Sequence, residues 1–163
     1  MAVQYMLETQ LLDVVTTYLY SPLDNELYIK PPPRFLSKPI LADTSKSYSG
    51  LKLQRALYGL KQAGRMWYSH LHSFLLHHNF QHDQSLPCIF ILRESSSFAI
   101  VAIYVDDINL VGTLATCKNV VSLLTNCFEM KLLGKTSYCI GLQIAHLLME
   151  AYFFTKRATL RRC

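Results

Sequence analysis

The residues best suited to chemistry in this sequence are the aspartates Asp13, Asp106 and Asp107. Asp106 and Asp107 stand together between two apolar runs, Ile100 to Val105 and Ile108 to Val111. The first run has strong strand preference. Aspartate is a common turn residue, so the plain reading of the pair is a hairpin turn. A tight apolar hairpin also holds two carboxylates at a rigid tip, and magnesium prefers such hard oxygen ligands. A two-ion site needs a third carboxylate. Asp13 is the best candidate, because it ends the apolar run that begins at Met6. Two ions roughly 4 Å apart can activate an attacking hydroxyl and stabilise a departing pyrophosphate. Chemistry of this kind is mostly positioning and charge neutralisation. Spacing alone does not bring Asp13 to Asp106; the fold has to.

The elements that must do so are short and interleaved. Met6 to Asp13 reads as a buried strand, and Thr16 to Leu23 as a short helix or turn closed by Pro22. The prolines after Lys30 end a segment, since they forbid a helix and cannot feed a ladder. Ser37 to Gly50 reads as a loop, and Leu51 to Leu53 as a short strand. Ala63 to Asn79 is the clearest helix, with Trp67, Leu71, Phe74, Leu75 and His78 on one face. Cys88 to Leu92 and Phe98 to Tyr104 read as strands around the turn Ser95-Ser96-Ser97. Ile108 to Val111 is a third strand, reached through Asp106-Asp107. Thr116 to Cys127 is a second helix, and Tyr138 to Ile144 with Tyr152 to Thr155 a final hairpin. The pattern predicts an α+β fold, an antiparallel sheet backed by helices.

Composition sets the outer bounds. The chain has 163 residues, 51% hydrophobic and 17% charged, with a net charge of +5. This is a globular composition, long enough for one domain with its own core. The positive balance suits a polyanionic partner, as it also suits ordinary basic proteins. Five cysteines, an odd number with no Cys-x-x-Cys pair, argue against a disulfide framework and for a reducing compartment. No apolar run reaches membrane-spanning length. His70, His72, His77, His78 and His82 crowd one helix and its exit, and solvated histidines explain them better than metal ligation. Lys52, Arg55, Lys61 and Arg65 form a basic neighbourhood fit for phosphates or for ordinary surface charge. Trp67 reads as core. A small-molecule enzyme has little support, since no glycine-rich phosphate loop is present.

Four stretches, in order, resemble the reverse transcriptase of copia-type LTR retrotransposons. They are Asp13 to Leu19 with Glu26 to Ile29; Leu57-Tyr58-Gly59-Leu60-Lys61-Gln62-Ala63 with Arg65 and Trp67; Ile103-Tyr104-Val105-Asp106-Asp107; and Phe128-Glu129-Met130-Lys131 with Gly134 and Ile140 to Ile144. The resemblance covers about residues 7 to 155. It implies an RNA-directed DNA polymerase palm over residues 1–155, and it leaves residues 156–163 as an unmatched tail. It implies Asp13, Asp106 and Asp107 as catalytic metal ligands, joined by the carbonyl of Val14, for two Mg2+ ions with Mn2+ as a substitute. Tyr18 matches the aromatic beneath the incoming sugar; without the family it reads equally as a core tyrosine. Gln62, Tyr104 and Lys131 match nucleotide-binding positions, and Ile140 to Ile144 a hairpin that grips the primer end. The implied partners are an RNA or DNA template with its primer and a dNTP, within a polyprotein that also holds integrase and ribonuclease H. No membrane partner is implied; the implied location is intracellular, in a cytoplasmic virus-like particle.

The sequence departs from the family pattern at several positions. Val15 replaces a lysine, Tyr20-Ser21 an Asn-Gly turn, Gly64 a proline, and Leu86 and Leu132 acidic residues. Fingers and thumb are expected to be largely missing, the sequence reading as a palm truncated at both ends. Two expectations therefore stand together: a polymerase palm with intact carboxylates, and a catalytically silent retrotransposon relic that binds at most nucleic acid or a partner.

Overall fold

The structure is a computed structural model and describes residues 7–31, 50–82, 84–136, 138–139, 142–146 and 152–155. It divides into two compact units, residues 1–17 with 71–163, and residues 18–70.

The first unit is built on an antiparallel sheet. Its strands are β1 (Glu8–Val14), β4 (Gln81–His82), β5 (Ile89–Arg93), β6 (Phe98–Tyr104), β7 (Asp107–Gly112) and β8 (Met130–Gly134). They lie in the order β4-β5-β6-β7-β1-β8. In β6 every second residue, Ala99, Val101 and Ile103, is buried. This alternation puts one set of side chains on each face of a sheet. Opposite them in register stand Leu110 and Ile108 of β7 and Phe90 of β5, all fully buried. The helix α2 (Leu114–Cys127) covers this face, burying Cys117, Val120 and Leu124. β-branched and aromatic residues make the strands, and burial of one face selects their register.

Two local devices set helix ends in this unit. Thr113 is extended before α2, and its carbonyl accepts the Cys117 N–H at 2.9 Å. The helix α1 (Ala63–His77) stops at Asn79, which has φ +64°. There the Phe80 N–H donates to the Leu75 carbonyl and the Asn79 N–H to the Leu76 carbonyl, both at 3.1 Å. That is the Schellman ending, in which a left-handed residue satisfies the last carbonyls. The last part of α1 packs on the sheet through His72, whose ring lies 5.5 Å from that of Phe90. Phe74 meets Phe128 at 5.1 Å.

The second unit holds the short pair β2 (Tyr28–Ile29) and β3 (Leu51–Lys52), the first half of α1, and most of a 3-10 turn over Thr17–Tyr20. Trp67 is buried there beside Tyr20, as expected for a core residue. A further sheet in the first unit comprises β9 (Tyr138–Cys139), β10 (Leu142–His146) and β11 (Tyr152–Thr155). The expected final hairpin is thus three strands, with β10 pairing antiparallel to β9 on one side and to β11 on the other. Residues 140 and 141, in the expected primer-gripping segment, lie outside the described residues.

Gly112 is the position where the sheet tolerates no side chain. A Cβ there would lie 2.3 Å from the Phe98 carbonyl oxygen and 2.8 Å from Ala99 Cα, both backbone atoms. Gly112→Ala is expected to lower unfolding stability by about 1–3 kcal/mol, as overpacking does, measured by urea denaturation. Unchanged stability would contradict this packing.

Candidate functional site

The Asp-Asp pair is divided between a turn and a strand. Tyr104 of β6 faces Asp107 of β7, and Val105-Asp106 form the two-residue loop between them. The expectation that both aspartates sit in the turn is corrected here: only Asp106 does, and Asp107 opens β7. The reason is the hairpin itself. Two-residue loops match the strand twist best when the first central residue has positive φ. Val105 takes that place with φ +57°. A β-branched residue in this region costs on the order of 1–3 kcal/mol, so the loop is held by the ladders on either side.

Asp13 reaches the hairpin through β1. The β1–β7 register pairs Asp13 with Asp107 directly. The Val14 N–H donates to the Asp106 carbonyl at 2.9 Å. A bond in that position makes Asp13 and Asp107 a non-hydrogen-bonded pair, the closer of the two antiparallel spacings, with Cβ atoms about 5 Å apart. On its other side Asp13 pairs with Lys131 of β8. Cross-strand partners share a face, so Lys131, Asp13, Asp107 and Tyr104 form one row across four strands. This face is the one turned away from α2.

The electrostatics of the row are unbalanced. Lys131 Nζ stands 3.9 Å from Asp13 Oδ2, the outer limit of an ion pair, and its side chain is exposed. Such a contact stabilises little. Partial burial, and then the negative charges of Asp106 and Asp13, raise the Asp107 carboxyl above the usual aspartate range. The donor set is all oxygen, and a hard divalent cation would relieve its repulsion. Yet among the described residues no group of three or more His, Cys, Asp or Glu side chains is arranged to hold a metal ion. The carboxylates share a neighbourhood without forming one ligand shell. The carbonyl of Val14 accepts a hydrogen bond from the Thr17 hydroxyl at 2.9 Å, which leaves one of its two lone pairs.

Tyr18 and Gln62 belong to the second unit. Tyr18 is half-buried, and its ring meets that of Tyr58 at a tilt of 56° with centroids 4.6 Å apart. Gln62 immediately precedes α1, and its carbonyl accepts the Met66 N–H at 2.9 Å. Most of the basic neighbourhood in this unit is engaged locally. Lys52 pairs with Glu26, Arg65 pairs with Asp24, and Arg55 donates to the Tyr20 carbonyl. The histidines of the first unit meet one another, His72 with His82 at 4.8 Å and His77 with His78 at 5.4 Å.

Asn109 escaped the sequence reading. It lies in β7 two residues beyond Asp107, on the same face, buried, with Oδ1 unpartnered. Asparagine is disfavoured inside a strand, so its place in Ile108-Asn109-Leu110 was the available signal.

The raised Asp107 carboxyl has a consequence for stability. Ionising such a group costs the native state above its folded pKa, and the cost is absent below the ordinary aspartate value. Asp107→Asn is therefore expected to raise the melting temperature at pH 7, and the gain should fade as pH drops below about 4. A loss of stability at pH 7, or a gain independent of pH, would contradict the charge crowding.

A family model described as "Reverse transcriptase (RNA-dependent DNA polymerase)" matches residues 1–155. Over 143 residues the chain is 35% identical to "Retrovirus-related Pol polyprotein from transposon TNT 1-94" of Nicotiana tabacum, covering 85% of the chain and 10% of that protein. It is 33% identical over 133 residues to the corresponding polyprotein from transposon RE1 of Arabidopsis thaliana, covering 81% and 9%. With that from transposon RE2 of the same plant it shares 30% over 150 residues, covering 91% and 10%. The chain thus spans about a tenth of the length of these curated relatives. No solved structure matches it. On the match over residues 1–155 and these identities, the chain belongs to the reverse transcriptase (RNA-dependent DNA polymerase) family of copia-type retrotransposons.

Proposed function

We propose that this chain is the palm of an RNA-directed DNA polymerase and that Asp13, Asp106 and Asp107 are its catalytic carboxylates. The reaction is addition of a dNTP to a primer 3′-hydroxyl on an RNA or DNA template. The observation that carries this reading is the cross-strand row, in which Asp13 and Asp107 face each other and a backbone hydrogen bond ties β1 to Asp106.

In this reading the three carboxylates, with the free lone pair of the Val14 carbonyl, hold two divalent ions, Mg2+ or Mn2+. Bound there, the ions would acidify the primer hydroxyl and neutralise the leaving pyrophosphate. The chain's own part is to fix the positions of the carboxylates. The rigid β6–β7 hairpin presents Asp106 and Asp107, and β1 delivers Asp13 in register. Lys131, at the end of the row, supplies a cation for phosphate oxygens, and exposed Tyr104 a surface for the nucleotide. For Tyr18 and Gln62 the nucleotide-binding role rests on the motif match. The polyprotein setting, with integrase and ribonuclease H in a virus-like particle, carries over from the family in the same way.

A second reading, nucleic-acid binding without synthesis, is favoured by one observation: the described carboxylates form no closed ligand shell. Primer extension by the purified chain, with Mg2+, dNTPs and an RNA template, separates the two. The polymerase reading expects incorporation that falls about a hundredfold or more in Asp106→Asn, a barrier change of about 3 kcal/mol. Incorporation that survives Asp106→Asn contradicts it. No incorporation by the unaltered chain supports the second reading.

A further inference from the structure

We propose that Arg93 anchors the backbone of a bound nucleic acid on the same sheet face as the carboxylate row, some distance from it. The proposal rests on the polymerase reading for the identity of the ligand, but not on catalysis.

Register places Arg93. It pairs with Phe98 across β5–β6, and Phe98, Ile100, Ala102 and Tyr104 alternate onto one face. Arg93 therefore shares the face of Asp107 and Asp13. From Tyr104 back to Phe98 the strand runs about 20 Å at the ordinary rise per residue, close to six base pairs of duplex. A polynucleotide seated at the row and lying along β6 passes Arg93.

The surroundings fit an anion with an attached flat or apolar body. Arg93 is exposed, and among the described residues no carboxylate pairs with it. Its neighbour Glu94, just past the end of β5, accepts hydrogen bonds from Ser97 and from Thr116 at the start of α2, the latter at 3.4 Å. Those two hydroxyls, rather than the guanidinium, are the partners of that carboxylate. Arg93 and Ile91 line two hollows, and Glu94 lines the smaller of them as well. The larger, of about 640 Å³, has an apolar floor of Ile89 and Ile91 and amides from Gln81 and Gln84. An apolar floor, amide groups and one unpaired cation suit a base and its phosphate, since arginine binds phosphate through a fork of donors. The chain's net charge of +5 favours the same partner.

The test is binding, read by fluorescence anisotropy of a labelled hairpin primer–template with a stem of about twelve base pairs, long enough to span the face. Arg93→Gln is expected to weaken binding about threefold or more at low salt and to reduce the salt slope by about one. Lys118→Gln, at an exposed position of α2, controls for diffuse charge and should change little. Unfolding midpoints of both variants should match the unaltered chain. Equal losses in the two variants, an unchanged slope in Arg93→Gln, or no binding by the unaltered chain would overturn the proposal. So would self-association that Arg93→Gln abolishes, since the occupant would then be a second copy. Asp106→Asn should keep the Arg93-dependent binding, so failure of the polymerase reading and failure of this anchor give different results.

Discussion

The hydrogen bond from the Val14 N–H to the Asp106 carbonyl, 2.9 Å long, joins the two parts of the chain on which the site depends. It fixes the register of β1 against β7 and makes Asp13 and Asp107 a close, non-hydrogen-bonded pair. A slip of one residue would send Asp13 to the opposite face. The slip is prevented by Leu12, fully buried opposite Ile108. Core packing on one face therefore sets carboxylate geometry on the other.

That geometry works against stability. Like charges directly opposite across a ladder are destabilising, and Val105 holds a left-handed conformation that β-branched residues avoid. Both costs fall in the same short hairpin. They persist because β6 and β7 are central strands, paired on both sides and buried over α2 through Val101, Ile103, Ile108 and Leu110. Strain and charge crowding gathered at one tip, with the core elsewhere well packed, are what a binding site produces and a structural turn does not need.

Much of this was legible in the residues. β6 is Phe98–Tyr104 as expected, because its β-branched and aromatic residues have strong strand preference. α1 was legible from its helical periodicity, and β7, apart from its first and last residues, from its apolar run. The division of Asp106 and Asp107 between turn and strand was not, since it depends on the positive φ of Val105, which propensity disfavours. β4, β2 and β8 were missed. The first two have only two residues each, and β8 is an edge strand whose Leu132 and Leu133 are exposed, so no burial pattern marks it. The pairing of Asp13 with Asp107 is a long-range register, invisible to local pattern. The motif resemblance supplied it as an expectation, and it came from family likeness rather than from spacing.

In the polymerase reading, Asp13, Asp106 and Asp107 together bind divalent cations. The direct measurement is Mn2+ binding to the full chain in the presence of dNTP, followed by electron paramagnetic resonance of free Mn2+. The expected result is saturable binding that Mg2+ displaces and that is lost or sharply weakened in Asp13→Asn and Asp107→Asn. Absence of binding, or binding that neither substitution alters, would contradict it.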